Sequence, residues 1–297
     1  MTARAEPGRG PGAPTPDLTG APGYRARRTL PLAVEAARQL RRRRTLVSFV
    51  ILTLLPWILV GAFEVSGPSS SAGAPGLVAQ ATQGGLNFTA FTFFVSAGFL
   101  LVVAVALFCG DTVATEASWS SLRYLLAAPV PRARLLRQKL IVALAYSAGA
   151  ITYLTLMSLL AGSVAFGWHV LRLPGTGVEL STGPALGRMA IVLGFVLISE
   201  LVVAALAFLL SVLTDSPLGA VGGAVGLVIV SNILDAVTAL GSWRELLPTH
   251  WQFAWLDVLQ SQISWADMIQ GSAISVSYAL VLFALAFRRF RSKDIVS

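Results

Sequence analysis

An all-α integral membrane protein is what this sequence predicts: six spanning helices with both ends on the cytoplasmic side, and an amphipathic interfacial helix ahead of the first span. Three observations predict it. The chain of 297 residues is 55% hydrophobic and only 12% charged, whereas a soluble domain has about a quarter of its residues charged, and its mean hydropathy is +0.74. Six apolar runs are uncharged or, in one case, interrupted by a single Glu. Finally, 19 of the 22 Lys and Arg residues fall in segments that six spans would leave on one side of a bilayer, the cytoplasmic side by the positive-inside rule.

Residues 1–28 hold five Pro and five Gly without apolar periodicity. Such a segment buries too little surface to offset chain entropy, so a disordered tail is expected. Over residues 29–44, Leu30, Val34, Ala37 and Leu40 share one helical face, while Glu35, Arg38, Gln39 and Arg42 share the other. That is the pattern of a helix lying in the membrane interface. A domain of six spans follows over 45–290, and 291–297 form a cytoplasmic tail.

The spans are 45–63 (19 residues), 88–110 (23), 140–168 (29), 189–213 (25, with Glu200), 218–234 (17) and 269–287 (19). A core of about 30 Å needs around 20 residues at about 1.5 Å rise each. Pro56 can kink the first span. The third would run about 43 Å as one helix, so it must tilt or protrude. In the fifth, Asp215 or Ser216 offers an N-cap and Pro217 suits the first turn. The run that follows arginines 41–44, with Ala72-Gly73-Ala74 beyond it, imitates a signal peptide. It is too long for a signal core and Pro75 would follow the cut, so it is read as a span.

Several function classes are excluded. One Cys (Cys109) and two His (His169, His250) cannot build a disulfide framework or a Cys/His zinc cluster. A phosphate-binding loop needs Gly-Lys-Ser/Thr, but the two lysines follow Gln138 and Ser292. Without that loop, a His-Glu-x-x-His helix or a Gly-x-Ser-x-Gly elbow, no catalytic residue and no metal ligand is expected in this chain.

The loop over 111–139 carries the most information. A helix starting at Thr115 or Glu116 would put Trp119, Leu122, Leu125 and Leu126 on one face and end near Ala128, because Pro129 disfavours the α conformation before it. Pro131 then suits the first turn of a helix that carries Arg132, Arg134, Arg137 and Lys139 into the third span. Such a loop can lie on lipid headgroups, each basic residue gaining up to about 1 kcal/mol. Alternatively, it can dock a partner and pass its motion to two spans at once.

The combination of Glu116, Leu125-Leu126, Pro129-Val130-Pro131-Arg132 and Lys139, with six spans and a preceding interfacial helix, resembles the permease subunits of ATP-binding-cassette transporters of the type-2, mostly exporter, class. The resemblance covers roughly 29–297. That family commonly has Gly-Thr-Leu where this chain reads Trp119-Ser120-Ser121-Leu122. It implies a homo- or heterodimer of permeases in a bacterial plasma membrane, served by separately encoded nucleotide-binding ATPase subunits that hold ATP and Mg. No cofactor in this chain and no nucleic-acid partner are expected. The cargo would be a hydrophobic or amphipathic solute (a drug, an antibiotic or a lipid-like molecule) moved outward. Glu116, Trp119, Leu122, Leu125, Leu126, Pro129 and Arg132 would couple to the ATPase.

Glu200 interrupts the fourth span, where an ionised side chain costs on the order of 2 to 3 kcal/mol, so it should face protein or water. It either packs as a hydrogen-bonded group or lines the substrate path with Asn232, favouring cationic or amine-bearing cargo. Gly219, Gly222, Gly223 and Gly226 form overlapping Gly-x-x-x-Gly pairs that permit close helix packing, within one subunit or across a dimer. Trp251 and Trp255 lie in a Trp-rich segment over 241–268, expected at the outer interface as an aromatic belt or a re-entrant gate. The alternative functions are an ion-coupled secondary transporter using Glu200, a membrane-embedded enzyme, or a membrane anchor for a cytosolic complex.

Overall fold

The computed structural model describes residues 32–66, 76–118, 132–174 and 178–292. The tail expected over 1–28 and the loop residues Trp119, Leu122, Leu125, Leu126 and Pro129 lie outside the described residues, as does 293–297. Ten α-helices, three short 3₁₀ helices beyond Val237 and one two-stranded hairpin carry most of the described chain. Five helices are long and apolar enough to cross a membrane, six if one bent pair counts as a single span.

The chain opens with α1 (Leu32–Leu40) and α2 (Arg43–Ser66), the latter carrying Pro56 within it. The second span, expected as one helix over 88–110, is broken. A short α3 (Gly76–Gln80) leads to α4 (Gly85–Ala97), and α5 (Leu100–Ser118) departs from it at 61°. Ser96-Ala97-Gly98 sits at the break. The Ser96 hydroxyl donates to the Thr92 carbonyl at 2.6 Å, and Thr92 and Thr89 bond back to Phe88 and Gly85. Hydroxyls bonded into the preceding turn bend helices, and Gly98 adds no side chain to resist. Nearly every α4 side chain is buried, so it packs inside the protein on all sides.

The third span is a 35-residue helix, α6 (Arg132–Phe166), about 50 Å long and longer than the expected run. Leu136, Ala143, Ala150, Leu154 and Ala161 are buried along it, a stripe at near-heptad spacing. Gly167, at φ +79°, ends it in a conformation that suits Gly. α4 crosses α6 where Gly162 lies: a Cβ there would come within 2.7 Å of the Phe88 Cβ. The hairpin β1 (Leu171–Arg172) and β2 (Glu179–Leu180) follows. The buried Asn87 amide bonds both backbone polar groups of Arg172 and so fixes the hairpin to α4.

The fourth span is α7 (Thr182–Ser199) and α8 (Leu201–Leu213), separated by Glu200 alone. The fifth is α9 (Pro217–Ala236), opened as expected by Ser216, whose hydroxyl accepts from the Gly219 amide at 3.2 Å, with Pro217 in its first turn. Thr238–Leu246, Pro248–Trp251 and Ala254–Leu259 then form 3₁₀ turns before α10 (Ala266–Ser292). At the centre, α5 and α8 pack together, with α9 against both and α10 on α8; α6 covers the other side of α5 and carries α2 and α4. The outward faces of α2, α9 and α10 expose Leu54, Ile58, Leu227, Ile233, Leu280 and Val281. An apolar surface of that extent suits lipid and not water.

Candidate functional site

Two arrangements stand out, one at each end of the central helices. The first surrounds α1. The sequence puts the apolar residues of this helix on one face, and the structure turns that face outward: Leu32, Val34 and Leu40 are exposed while Gln39 is buried. Its polar face grips the bundle. The Lys139 Nζ, almost fully buried on α6, lies 3.1 Å from the Glu35 Oε1. The Tyr146 hydroxyl, also on α6, donates to the Ala36 carbonyl at 2.7 Å. From the α1–α2 junction, the Arg42 and Arg44 guanidinium groups reach the two carboxylate oxygens of Asp111 on α5, at 2.6 and 2.7 Å, and Thr115 donates to the same carboxylate. The Ser211 hydroxyl of α8 accepts from the Val113 and Ala114 amides at 3.0 Å each.

The consequence is mechanical. Residues 119–131 join α5 to α6; α6 is bonded to α1 through Glu35 and the Ala36 carbonyl, and α5 is bonded through Asp111 to Arg42 at the α1–α2 junction and to Arg44 at the start of α2. Charge-assisted bonds of this kind are about twice as strong as neutral ones. Glu116 and Arg132 fall on the backbone of α5 and α6, at the two edges of the segment.

The second arrangement is a cavity of about 300 Å³ bounded by α5, the α7–α8 junction, α9, the segment around the Pro248–Trp251 3₁₀ turn and α10. Val202, Val203, Leu206 and Val228 give it apolar walls, and Glu200 is its one described acidic side chain. Glu200 is only 7% exposed, and its Oε2 is buried without a hydrogen-bond partner among the described residues. Buried carboxyl oxygens are nearly always bonded, so an unmet one facing a cavity points to a missing ligand or solvent. Ser231 and Thr249, whose hydroxyls lie 2.7 Å apart, sit on the same wall.

Asn232, expected with Glu200 on the path, does not line the cavity; its neighbour Ser231 does. A helix turns about 100° per residue, so a shift of one position changes the face. At the far end of α9, Asp235 holds the His250 Nδ1 at 2.5 Å and the Arg244 Nε at 3.5 Å. The Arg188 guanidinium ties the start of α7 to the Val258 and Gln260 carbonyls. Trp251 and Trp255, expected at the outer interface as an aromatic belt or a re-entrant gate, are both buried in the protein. Trp255 is fully buried against Phe93, and the Trp251 indole donates to the Glu245 carbonyl at 2.8 Å. Trp243 and Trp265 are the exposed ones.

Of the four glycines of α9, only Gly223 packs closely against a neighbouring helix of the chain. Gly222 and Gly226 face open space, Gly219 meets only its own cap region, and Gly223 touches Leu210. Ala220, Ala224 and Val228 form the buried stripe. The close approach comes from the partner helix: a Cβ at Gly110 of α5 would meet Val221 of α9 at 3.0 Å. Among the described residues no three His, Cys, Asp or Glu side chains gather to hold a metal.

Asp111, Ser231, Thr249, Gln252 and Tyr278 were not singled out from the sequence. For Asp111 a signal existed, since it is the first charge after an uncharged run. The cavity residues come from three separate elements and carry no shared spacing.

An uncharacterized protein of Bacillus subtilis (strain 168), YhcI, is 25% identical over 226 residues, which are 71% of this chain and 67% of that protein. A family model described as protein of unknown function (DUF2705) matches residues 73–296, from just before α3 to beyond α10. On that match, which takes in both the Glu200 cavity and the α5 and α6 halves of the clamp, the chain belongs to the DUF2705 family.

Proposed function

We propose that the chain is the permease subunit of an ATP-binding-cassette transporter of the type-2 exporter-like class. It would sit in the bacterial plasma membrane with α1 on the cytoplasmic side, pair with a second permease subunit, and move a hydrophobic or amphipathic solute outward. ATP and Mg act on separate ATPase subunits. The observation that carries this reading is the clamp: Glu35–Lys139 and Arg42/Arg44–Asp111 brace the two helices that bound residues 119–131. A push on that segment then reaches α5 and α6 as a rigid pair, and α5 packs directly on α8 and α9, which wall the cavity. Rigid-body motion of packed helices is a standard way to turn a partner's closure into a change of access.

The test is co-reconstitution with an ATPase subunit encoded beside this chain. Leu122→Asp should weaken ATPase association by about thirtyfold, as expected for a hot-spot contact worth about 2 kcal/mol, and export should fall with it. One observation favours a second reading, an ion-coupled secondary transporter: the partnerless Glu200 oxygen at a helix junction within a span, the kind of site such carriers use. Transport driven by a proton gradient and indifferent to ATP would decide for it and against the permease.

A further inference from the structure

The cavity has a chemistry more specific than that of an apolar hole. Its walls are mostly aliphatic, and among the described residues no Lys, Arg or His lines it. The basic side chains at this end of the bundle, Arg244 and His250, lie against Asp235, 3.5 and 2.5 Å from its carboxylate, and not on the cavity wall. The Ser231 and Thr249 hydroxyls are bonded to each other, and the Ser199 hydroxyl donates to the Val196 carbonyl. Glu200 is therefore the wall's one acidic group among the described residues, and its Oε2 has no donor among them. An isolated carboxylate enclosed by hydrocarbon is stable only when a cation or a donor meets it. A volume of about 300 Å³ lies at the low end of small-molecule sites, enough for one slender apolar body and too little for a two-chain lipid.

Resting on the permease reading above, we propose that this cavity is a cargo site for a lipophilic monocation, an ammonium group on a single apolar body, with Glu200 as the group that receives the charge. The ammonium donates to the Glu200 carboxylate and supplies the missing bond to Oε2. The hydrocarbon portion lies along Val202, Val203, Leu206 and Val228. Selectivity comes from the carboxylate, because the mostly aliphatic remainder of the wall offers no counter-charge to an ammonium.

The experiment uses the full-length chain in nanodiscs, radiolabelled decylamine, and competition by unlabelled decylamine, decan-1-ol and decanoate, with empty nanodiscs subtracted. Saturable decylamine binding is expected, decan-1-ol competing at least about tenfold more weakly and decanoate not at all. Glu200→Gln should weaken decylamine by about ten- to hundredfold, the loss of one charge-assisted bond, and leave decan-1-ol unchanged. Glu200→Asp should keep the preference for amine over alcohol. Equal competition by decan-1-ol and decylamine would overturn the proposal, as would a Glu200→Gln protein that binds decylamine within twofold of the parent. Loss of amine and alcohol alike in both variants would also overturn it, since Glu200 would then be a packing group. No ATPase is present in this assay. Amine binding without ATP-driven transport leaves the site and removes the permease reading, whereas ATP-driven transport without amine binding does the reverse.

Discussion

Replacing Asp111 with Ala removes the ion pairs that tie the α1–α2 junction to α5 and leaves the 3.4 Å bond from the Gln39 amide to the Phe108 carbonyl in place. Deleting one partner of a buried ion pair costs about 3 to 5 kcal/mol, while exposed pairs are worth about 0.2 to 1 kcal/mol. The Asp111 side chain is 9% exposed, Arg42 25% and Arg44 58%. The Arg42 bond therefore falls between the two limits, at about 2 kcal/mol, and the solvent-screened Arg44 bond sits low, at about 0.5 kcal/mol. Together they amount to about 2.5 kcal/mol, or roughly a seventyfold rise in the population with the α1–α2 junction detached from α5. Hydrogen exchange in nanodiscs reads this directly. Amides over 32–44 should exchange faster by that order in Asp111→Ala, while α10 stays at parental rates. Arg44→Ala should change the same amides by no more than about threefold. Unchanged exchange over 32–44 in Asp111→Ala would refute the clamp, and so would an Arg44→Ala effect of equal size.

Gly162→Ala forces a methyl group against Phe88 and should cost about 1 to 3 kcal/mol, seen as a lower Tm, whereas Gly222→Ala enters open space and should gain up to about 1 kcal/mol of helix propensity. A Gly222→Ala protein that loses Tm or changes oligomeric state would show a face covered by another copy. Trp255→Ala removes a fully buried ring and should cost about 3 to 5 kcal/mol, against about 0.5 kcal/mol or less for the exposed Trp243→Ala; similar losses at both positions would contradict the placement of Trp255. The Asp257 carboxyl is raised above its ordinary value, first by burial and then by the Asp267 charge, with the Gln260 amide opposing. A raised acid favours the fold while protonated, and that contribution is lost as pH climbs past the ordinary carboxylate range. Asp257→Asn should therefore raise Tm at about pH 7 and match the parent at about pH 3. A difference that grows toward acid would reverse the sign.

Much of the bundle was legible because a span is written in local composition. Uncharged length located the first, third, fifth and sixth spans, and Ser216-Pro217 marked the start of α9 by cap chemistry. The break at Gly98 was not legible, because an uncharged run reads alike whether it continues or turns; the bend depends on hydroxyls at Thr92 and Ser96 choosing backbone partners. The face of α1 was legible as a pattern, but composition could not say that its polar side would meet protein. Glu200 was legible as a cost, since a charge in an apolar run demands a partner. The other cavity residues were not, because Ser231, Thr249 and Tyr278 meet only through tertiary packing. In α9, the glycine spacing signalled a smooth face without indicating that Ala220 and Ala224, on the opposite side, would fill the interior.

If the chain sits in a bilayer as proposed, the way α1 is mounted has a consequence for its response to lipid. Its aliphatic side, with Leu32, Val34 and Leu40, points away from the protein, while Glu35 fastens it to α6 and Arg42, just beyond its end, fastens the chain to α5. Once embedded, its height would be set by the lipid and its attachment by charge. A thinner leaflet, or one richer in anionic headgroups drawing on Arg41 and Arg43, would tug the same two helices that flank residues 119–131. Bilayer composition would then act as a second input to the bundle, at the shoulder where α1 joins it.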